Sequence, residues 1–139
     1  MDKYFEANAV FSLFCKGYNE LKKDLPIRPS EMGVLNIIVQ KKGTYTPRML
    51  AKLLDVSKPM ITSHITVLEK KGYIIREAAK EDKRSFYVLP TDKAKDLVAK
   101  TAETMKLYLQ KIEESLSEKK FDLLLQILND TNKTLRTLK

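Results

Sequence analysis

One face of a helix predicted over residues 57–70 consists of short hydroxyl and basic side chains. Its members are Ser57, Lys58, Pro59, Thr62, Ser63, Thr66 and Lys70. Ser and Thr can hydrogen-bond to base edges or phosphates, and Lys neutralises phosphate charge. The helical period puts Glu69, the only acid of the segment, off this face. An ordinary solvated face usually mixes Glu with Lys, so the pattern favours contact with DNA.

The ends and the inner face of this helix are also marked in the sequence. The Ser57 hydroxyl can accept a hydrogen bond from a free amide two or three residues later, as an N-cap does. Gly72 stands where a helix-ending glycine is expected. Ile61, Ile65 and Leu68 recur at spacings of four and three, which predicts a buried stripe opposite the polar face.

A shorter helix is predicted just before this one. It begins at Thr46 or Pro47. Its apolar residues Leu50, Leu53 and Leu54 are predicted to point inward. Two helices joined by a short turn form a helix-turn-helix, whose second helix enters the major groove of DNA. The helix over residues 57–70 is therefore the predicted reading helix.

Two segments rich in β-branched and aromatic residues, 73–76 and 85–89, follow the reading helix. They predict a β-hairpin, the wing, whose tip is the polar segment 77–85. The basic residues of the tip are Lys80, Lys83 and Arg84. A basic loop on a two-stranded ribbon can reach the minor groove, whose negative potential attracts Arg. Asp82 could hold the Arg84 guanidinium in a bidentate pair and aim it; a solvated loop with a casual ion pair is the alternative.

The positive charge of the chain is concentrated in this region. The whole sequence carries a formal net charge of +8 at pH 7. Residues 41–95 contribute +7 of it, and all other residues together contribute +1. Such a concentration is the electrostatic footprint of a protein that binds a polyanion. A membrane surface is a weaker alternative, because the basic residues do not lie on one long amphipathic helix.

Together these motifs resemble the MarR family of winged helix-turn-helix transcription regulators. The similar segments are Ser57-Lys58 at the start of the reading helix, residues 68–74 at its end, and Asp82-Lys83-Arg84 in the wing. Pro29-Ser30-Glu31 and Leu89-Pro90-Thr91 extend the resemblance to about residues 29–95. Ala94 departs from it, since the family often has Gly there. The resemblance implies a homodimeric DNA-binding regulator, more often a repressor, with an effector that differs between members.

The predicted fold class is mostly α with a small β-hairpin wing, a winged helix-turn-helix flanked by N- and C-terminal dimerisation helices. Residues 1–139 are expected to form one domain, with the DNA-binding region at 30–90 and dimerisation helices at 2–24 and 91–139. Ser30 is predicted to cap the first helix of the DNA-binding region. The outer helices carry more apolar surface than a small winged domain can cover, which predicts a symmetric dimer. Such a dimer sets two reading helices about 34–36 Å apart and recognises a near-palindromic site.

Other classes of function find little support in the sequence. It contains no Cys/His cluster for a metal, no phosphate-cradling glycine loop and no evident pairing of a nucleophile with a base. We therefore expect neither an enzyme nor a cofactor. No run of about 18 apolar residues exists, and the N-terminus lacks the apolar region of a signal peptide. A cytoplasmic protein without a membrane partner is expected, which the single cysteine also fits.

That cysteine, Cys15, has two interpretations. A free cysteine is more often a small buried hydrophobic residue. The family resemblance adds a thiol sensor, because some members sense peroxides through a cysteine of the first helix. This second role requires a lowered thiol pKa and access to the oxidant.

The sequence therefore predicts a transcription regulator that binds double-stranded DNA as a homodimer and is open to release by a small-molecule effector. Two alternatives remain. The first is a winged-helix protein-interaction module whose basic face meets an acidic partner. The second is a redox-sensing regulator that uses Cys15.

Overall fold

The computed structural model describes residues 2–41 and 43–138. Within them, six helices and two strands follow one another: α1 (Lys3–Glu20), α2 (Pro29–Gln40), α3 (Pro47–Leu54), α4 (Lys58–Lys70), β1 (Ile74–Ala78), β2 (Phe86–Pro90), α5 (Asp92–Leu116) and α6 (Glu118–Thr137). The predicted mostly helical fold with a β-hairpin is confirmed. None of these helices is long and apolar enough to cross a membrane.

The chain divides after Ala99 into two compact units. Helix α5 begins in the first unit, and its residues from Lys100 onward belong to the second. The second unit also contains α6, whose N-cap Ser117 accepts a hydrogen bond from the Lys120 amide at 3.2 Å. No residue of α6 is fully buried, and Leu123, Leu125, Ile127 and Leu135 are exposed, so part of its apolar surface has no partner in the described chain.

The core of the first unit forms where α2, α3, α4 and the hairpin meet. Its largest fully buried side chains are Val34, Leu35, Leu50, Ile61, Ile65, Leu68, Ile74 and Val88. The predicted inner stripe of the reading helix, now α4, is thereby confirmed. Because these side chains lie at helical spacing, their burial fixes which face of α4 points outward.

The wing is an antiparallel pair in which Ile74 faces Pro90 and Ala78 faces Phe86. Strand β1 extends further toward the tip than predicted, because Glu77 and Ala78 belong to it, whereas β2 begins at Phe86, one residue later than predicted. Just before α3, Tyr45 forms a single bridge to β2, in which the Val88 amide donates to the Tyr45 carbonyl at 2.8 Å.

Helix α2 begins earlier than predicted. Its N-cap is Arg28 and Pro29 occupies the first turn, so Ser30 lies inside the helix and the prediction of a Ser30 cap is wrong. The Arg28 amide donates to the Glu31 carboxylate at 3.0 Å. Glu31, only 3% exposed, thus occupies the position of the acid in a capping box. Proline suits the first helical position, where its missing amide hydrogen costs nothing.

Helix α1 ends at Glu20, four residues before the predicted end. The amides of Leu21, Lys22 and Lys23 each donate to a carbonyl three residues back, as in a tight turn. This turn leads to the linker before α2.

The prediction that Leu53 points inward is wrong. Leu50 is 0% exposed, whereas Leu53 is 50% exposed. Leu54, four residues after Leu50, packs against the core and is half-buried. In a helix of only eight residues, one narrow stripe meets the core, and Leu53 lies beside it.

This difference within α3 predicts two unequal substitutions. Leu50→Ala should lower the free energy of unfolding by about 2–5 kcal/mol, because it leaves a cavity in the core. Leu53→Ala should cost less than about 1 kcal/mol, because the side chain is already half in water. Urea unfolding at equal protein concentration measures both, and equal losses would contradict the assigned core.

Candidate nucleic-acid interface

The start of the reading helix α4 is built by a local cap. The Ser57 hydroxyl accepts a hydrogen bond from the Met60 amide at 3.3 Å, which confirms the predicted N-cap. At the other end, Gly72 adopts a φ of +81°, a conformation that glycine accepts without a steric penalty. Every member of the predicted polar face is exposed: Ser57, Lys58, Pro59, Thr62, Ser63, Thr66 and Lys70.

Two threonines on this face already use their hydroxyl hydrogens within the helix. Thr62 Oγ1 donates to the Lys58 carbonyl, and Thr66 Oγ1 donates to the Thr62 carbonyl, each at 2.9 Å. In this state each hydroxyl has only acceptor capacity left for an outside group. The exposed face can therefore receive hydrogen bonds from amino groups, which the major groove presents on adenine and cytosine.

The tip of the wing carries the exposed residues Lys80, Lys83 and Arg84. Asp82 Oδ1 accepts a hydrogen bond from the backbone amide of Arg84 at 2.9 Å. Among the residues that the structure describes, no salt bridge joins this carboxylate to the Arg84 guanidinium. The predicted bidentate pair is thus replaced by a turn contact, which shapes the loop backbone and leaves the guanidinium exposed.

A crevice of about 240 Å³ lies between the start of α4 and the wing. It is lined by Pro47, Arg48, Lys58, Thr62, Ile65, Arg76, Arg84, Ser85 and Phe86. Of the predicted residues it brings together Lys58, Thr62 and Arg84; the others lie outside its lining. Its walls contain four cationic side chains and no carboxylate. Such a site attracts anionic groups, and the phosphates of DNA are anionic.

Two of these cations, Arg48 and Arg76, were not predicted as site residues. Both count toward the excess positive charge of residues 41–95, which was the only sequence signal for them. Their meeting with Lys58 and Arg84 depends on how α3 and the wing pack beside α4, and residue spacing does not show that packing.

Arg76 is held by contacts to both the reading helix and the wing. Its Nε donates to Glu69 Oε2 at 3.0 Å, and its guanidinium lies 4.5 Å from the centre of the Phe86 ring. Both charged side chains are more than a third exposed, so this ion pair adds little stability by itself. Its effect is to orient the Arg76 side chain beside the crevice.

Cys15 lies exposed on α1. Exposure supplies the access that a thiol sensor requires, whereas reactivity also depends on thiolate formation. Within the part of the chain that the structure covers, no group of three His, Cys, Asp or Glu residues could hold a metal.

The packed trihelical core, the exposed reading helix and the basic wing define a winged helix-turn-helix. The model of the MarR family matches residues 25–85. The predicted resemblance to the MarR family is therefore confirmed over these residues, which form a winged helix-turn-helix.

Solved structures support the same fold. Streptococcus pneumoniae FabT in complex with DNA is 24% identical, with a TM-score of 0.81 over 99% of this chain and 100% of that one. S. aureus MepR in its DNA-binding conformation is 21% identical, with a TM-score of 0.71 over 99% and 100% of the two chains. NadR in complex with 4-hydroxyphenylacetate is 20% identical, with a TM-score of 0.68 over 94% and 92%.

The position of Arg48 in the crevice predicts a role in binding phosphate. Arg48→Ala should reduce the slope of log affinity against log salt by about 0.9, since one phosphate contact is lost. Lys119→Ala is the matched control, because it removes one positive charge from an exposed site on α6. Titrations of a DNA duplex at several salt concentrations give both slopes. An unchanged slope in Arg48→Ala would exclude the phosphate contact.

Proposed function

We propose that this protein is a transcription regulator, a homodimeric repressor that binds a near-palindromic site in double-stranded DNA. The observation that carries the proposal is the crevice in which Lys58, Arg76 and Arg84 meet without a carboxylate in the walls. A surface with this charge, beside an exposed hydroxyl-rich helix, suits phosphate and base edges together.

The division of roles follows from the shape of the two elements. Residues of the reading helix would meet bases in the major groove: Ser57, Lys58, Pro59, Thr62, Ser63 and Thr66. Arg84 would enter the minor groove from the wing, whose turn Asp82 shapes. Lys70, Lys80 and Lys83 would contact phosphates, which fix the register of the protein on the duplex.

Exposed apolar side chains support a dimer. Helix α1 exposes Phe5, Phe11 and Phe14 at 64%, 63% and 49%. In the second unit, Met105, Leu109, Phe121 and Leu125 line an apolar groove of about 430 Å³. A second copy of the chain would cover such surfaces, which supports residues 2–24 and 91–139 as dimerisation segments.

A small-molecule effector is the proposed means of control. NadR, which shares the fold, was solved in complex with 4-hydroxyphenylacetate. In the present protein a ligand would act by favouring one spacing of the two reading helices over another. The ligand can change the DNA affinity by no more than the ratio of its own affinities for the two states. As a regulator of transcription the protein would act in the cytoplasm.

Selection from a random duplex library at two salt concentrations tests the proposal. Recovery of a near-palindromic motif, bound less tightly at the higher salt, is the expected result. Binding without any motif would contradict sequence-specific recognition. No binding at low salt would favour the alternative of a protein-interaction module with an acidic partner.

The wing assignment predicts a specific loss on the recovered duplex. Arg84→Ala should weaken binding by about tenfold, because the guanidinium no longer reaches the minor groove. Arg84→Lys is the control: it keeps the charge and should retain the salt slope while losing part of the affinity. Fluorescence anisotropy measures both. Unchanged affinity and salt slope in Arg84→Ala would show that the wing does not contact DNA.

A further inference from the structure

The C-terminal end of the reading helix is held by side chains from the start of α5. Lys93 Nζ donates to the carbonyl of Lys71 at 2.6 Å. Thr91 Oγ1 donates to the carbonyl of Gly72 at 2.7 Å. The last carbonyls of a helix lack partners within it, so they need donors from elsewhere. Here these donors come from about twenty residues further along the chain.

Lys93 is also packed along its length, although it is exposed. Its Nζ lies 4.5 Å from the centre of the ring of Tyr73, which is buried. A Cβ placed on Gly72 would lie 4.0 Å from Lys93 Cδ, so the aliphatic part of the lysine passes close to the glycine. The ammonium group therefore reaches the negative end of the α4 dipole over a packed stem.

A second lysine ties the same turn to another segment. Lys71 Nζ donates to the carbonyl of Pro26, in the linker between α1 and α2, at 3.2 Å. The turn after α4 is thus bound on one side to the first turn of α5 and on the other to the linker. Neither ammonium group points at the crevice described above; each donates to a backbone carbonyl.

We propose that Lys93 is a positioning residue for DNA binding, which sets the direction of the reading helix by fixing its C-terminal end to α5. The proposal rests on the proposed function. A small rotation at this end moves the exposed side chains at the other end of α4, where Lys58 and Thr62 lie. Lys93 thereby contributes to DNA affinity without touching DNA. Through it, the position of the start of α5 and the direction of α4 are coupled.

The test uses Lys93→Met in the full chain, with the duplex recovered by selection. Methionine keeps an apolar stem over Gly72 and Tyr73 but removes the charge and the donors. Affinity should fall on the order of tenfold, the effect of losing a charge-assisted hydrogen bond. The slope of log affinity against log salt should stay constant, because no phosphate contact is lost. Lys95→Met, which removes the same charge from an exposed position of α5, should change neither quantity.

Lys93→Arg completes the set, because it restores both the charge and the donors. It should recover most of the affinity that Lys93→Met loses. Three results would overturn the proposal: unchanged affinity in Lys93→Met, a salt slope lowered by about 0.9, which marks a phosphate contact, or an arginine variant as weak as the methionine variant.

Amide hydrogen exchange without DNA separates this proposal from the proposed function. In Lys93→Met the amide of Tyr73, which donates to the Leu68 carbonyl at 2.9 Å, should exchange faster. The amide of Leu35 in the core reports global unfolding and should be unchanged. Equal acceleration of both amides would show a loss of global stability and overturn the positioning role.

If the wild-type protein bound no duplex, the proposed function would fail, and the positioning role in DNA binding would fall with it. The exchange data would then still decide whether Lys93 anchors the helix end.

Discussion

The burial of one stripe of α4 is the constraint on which the interface depends. Ile61, Ile65 and Leu68 are almost fully buried, and burying a side chain of this kind contributes about 1.5–3 kcal/mol. Any rotation of α4 about its axis would expose part of this stripe. The outward direction of Thr62 and Thr66 is therefore a consequence of packing on the opposite face, and the residues that would read DNA need not stabilise their own positions.

Charge imposes the second constraint. Arg48, Lys58, Arg76 and Arg84 line one crevice, and like charges at close range oppose the compact state. Glu69 offsets part of this cost by pairing with Arg76. The same guanidinium also lies over the ring of Phe86, in a cation–π contact. The remaining excess is suited to a polyanion, whose binding would relieve the repulsion. The cluster is thus better explained by an anionic partner than by a need for stability.

Features that depend on neighbouring residues could be predicted from the sequence, and contacts between distant segments could not. The Ser57 cap, the Gly72 turn and the buried stripe of α4 all follow from spacing within one helix. Leu53 was misplaced because a helix of eight residues has too few turns to define its buried stripe by periodicity. Asp82 was given the wrong partner because the loop conformation, which spacing does not contain, decides whether a carboxylate meets an amide or a guanidinium. Arg48, Arg76 and Lys93 were missed for a related reason: the surroundings of each depend on how its element packs against another one.

The two ends of the reading helix are consequently built in different ways. Its first turn is capped by its own Ser57, and the polar side chains there are exposed. Under the proposed function, substitutions on that face would alter base recognition at little cost to folding, since they remove no core contact. Its last turn, in contrast, is completed by Thr91 and Lys93 of a distant segment. Under the proposed function, recognition and orientation would therefore fall to opposite ends of one helix, so the DNA sequence that is read could change while the direction of the helix is maintained.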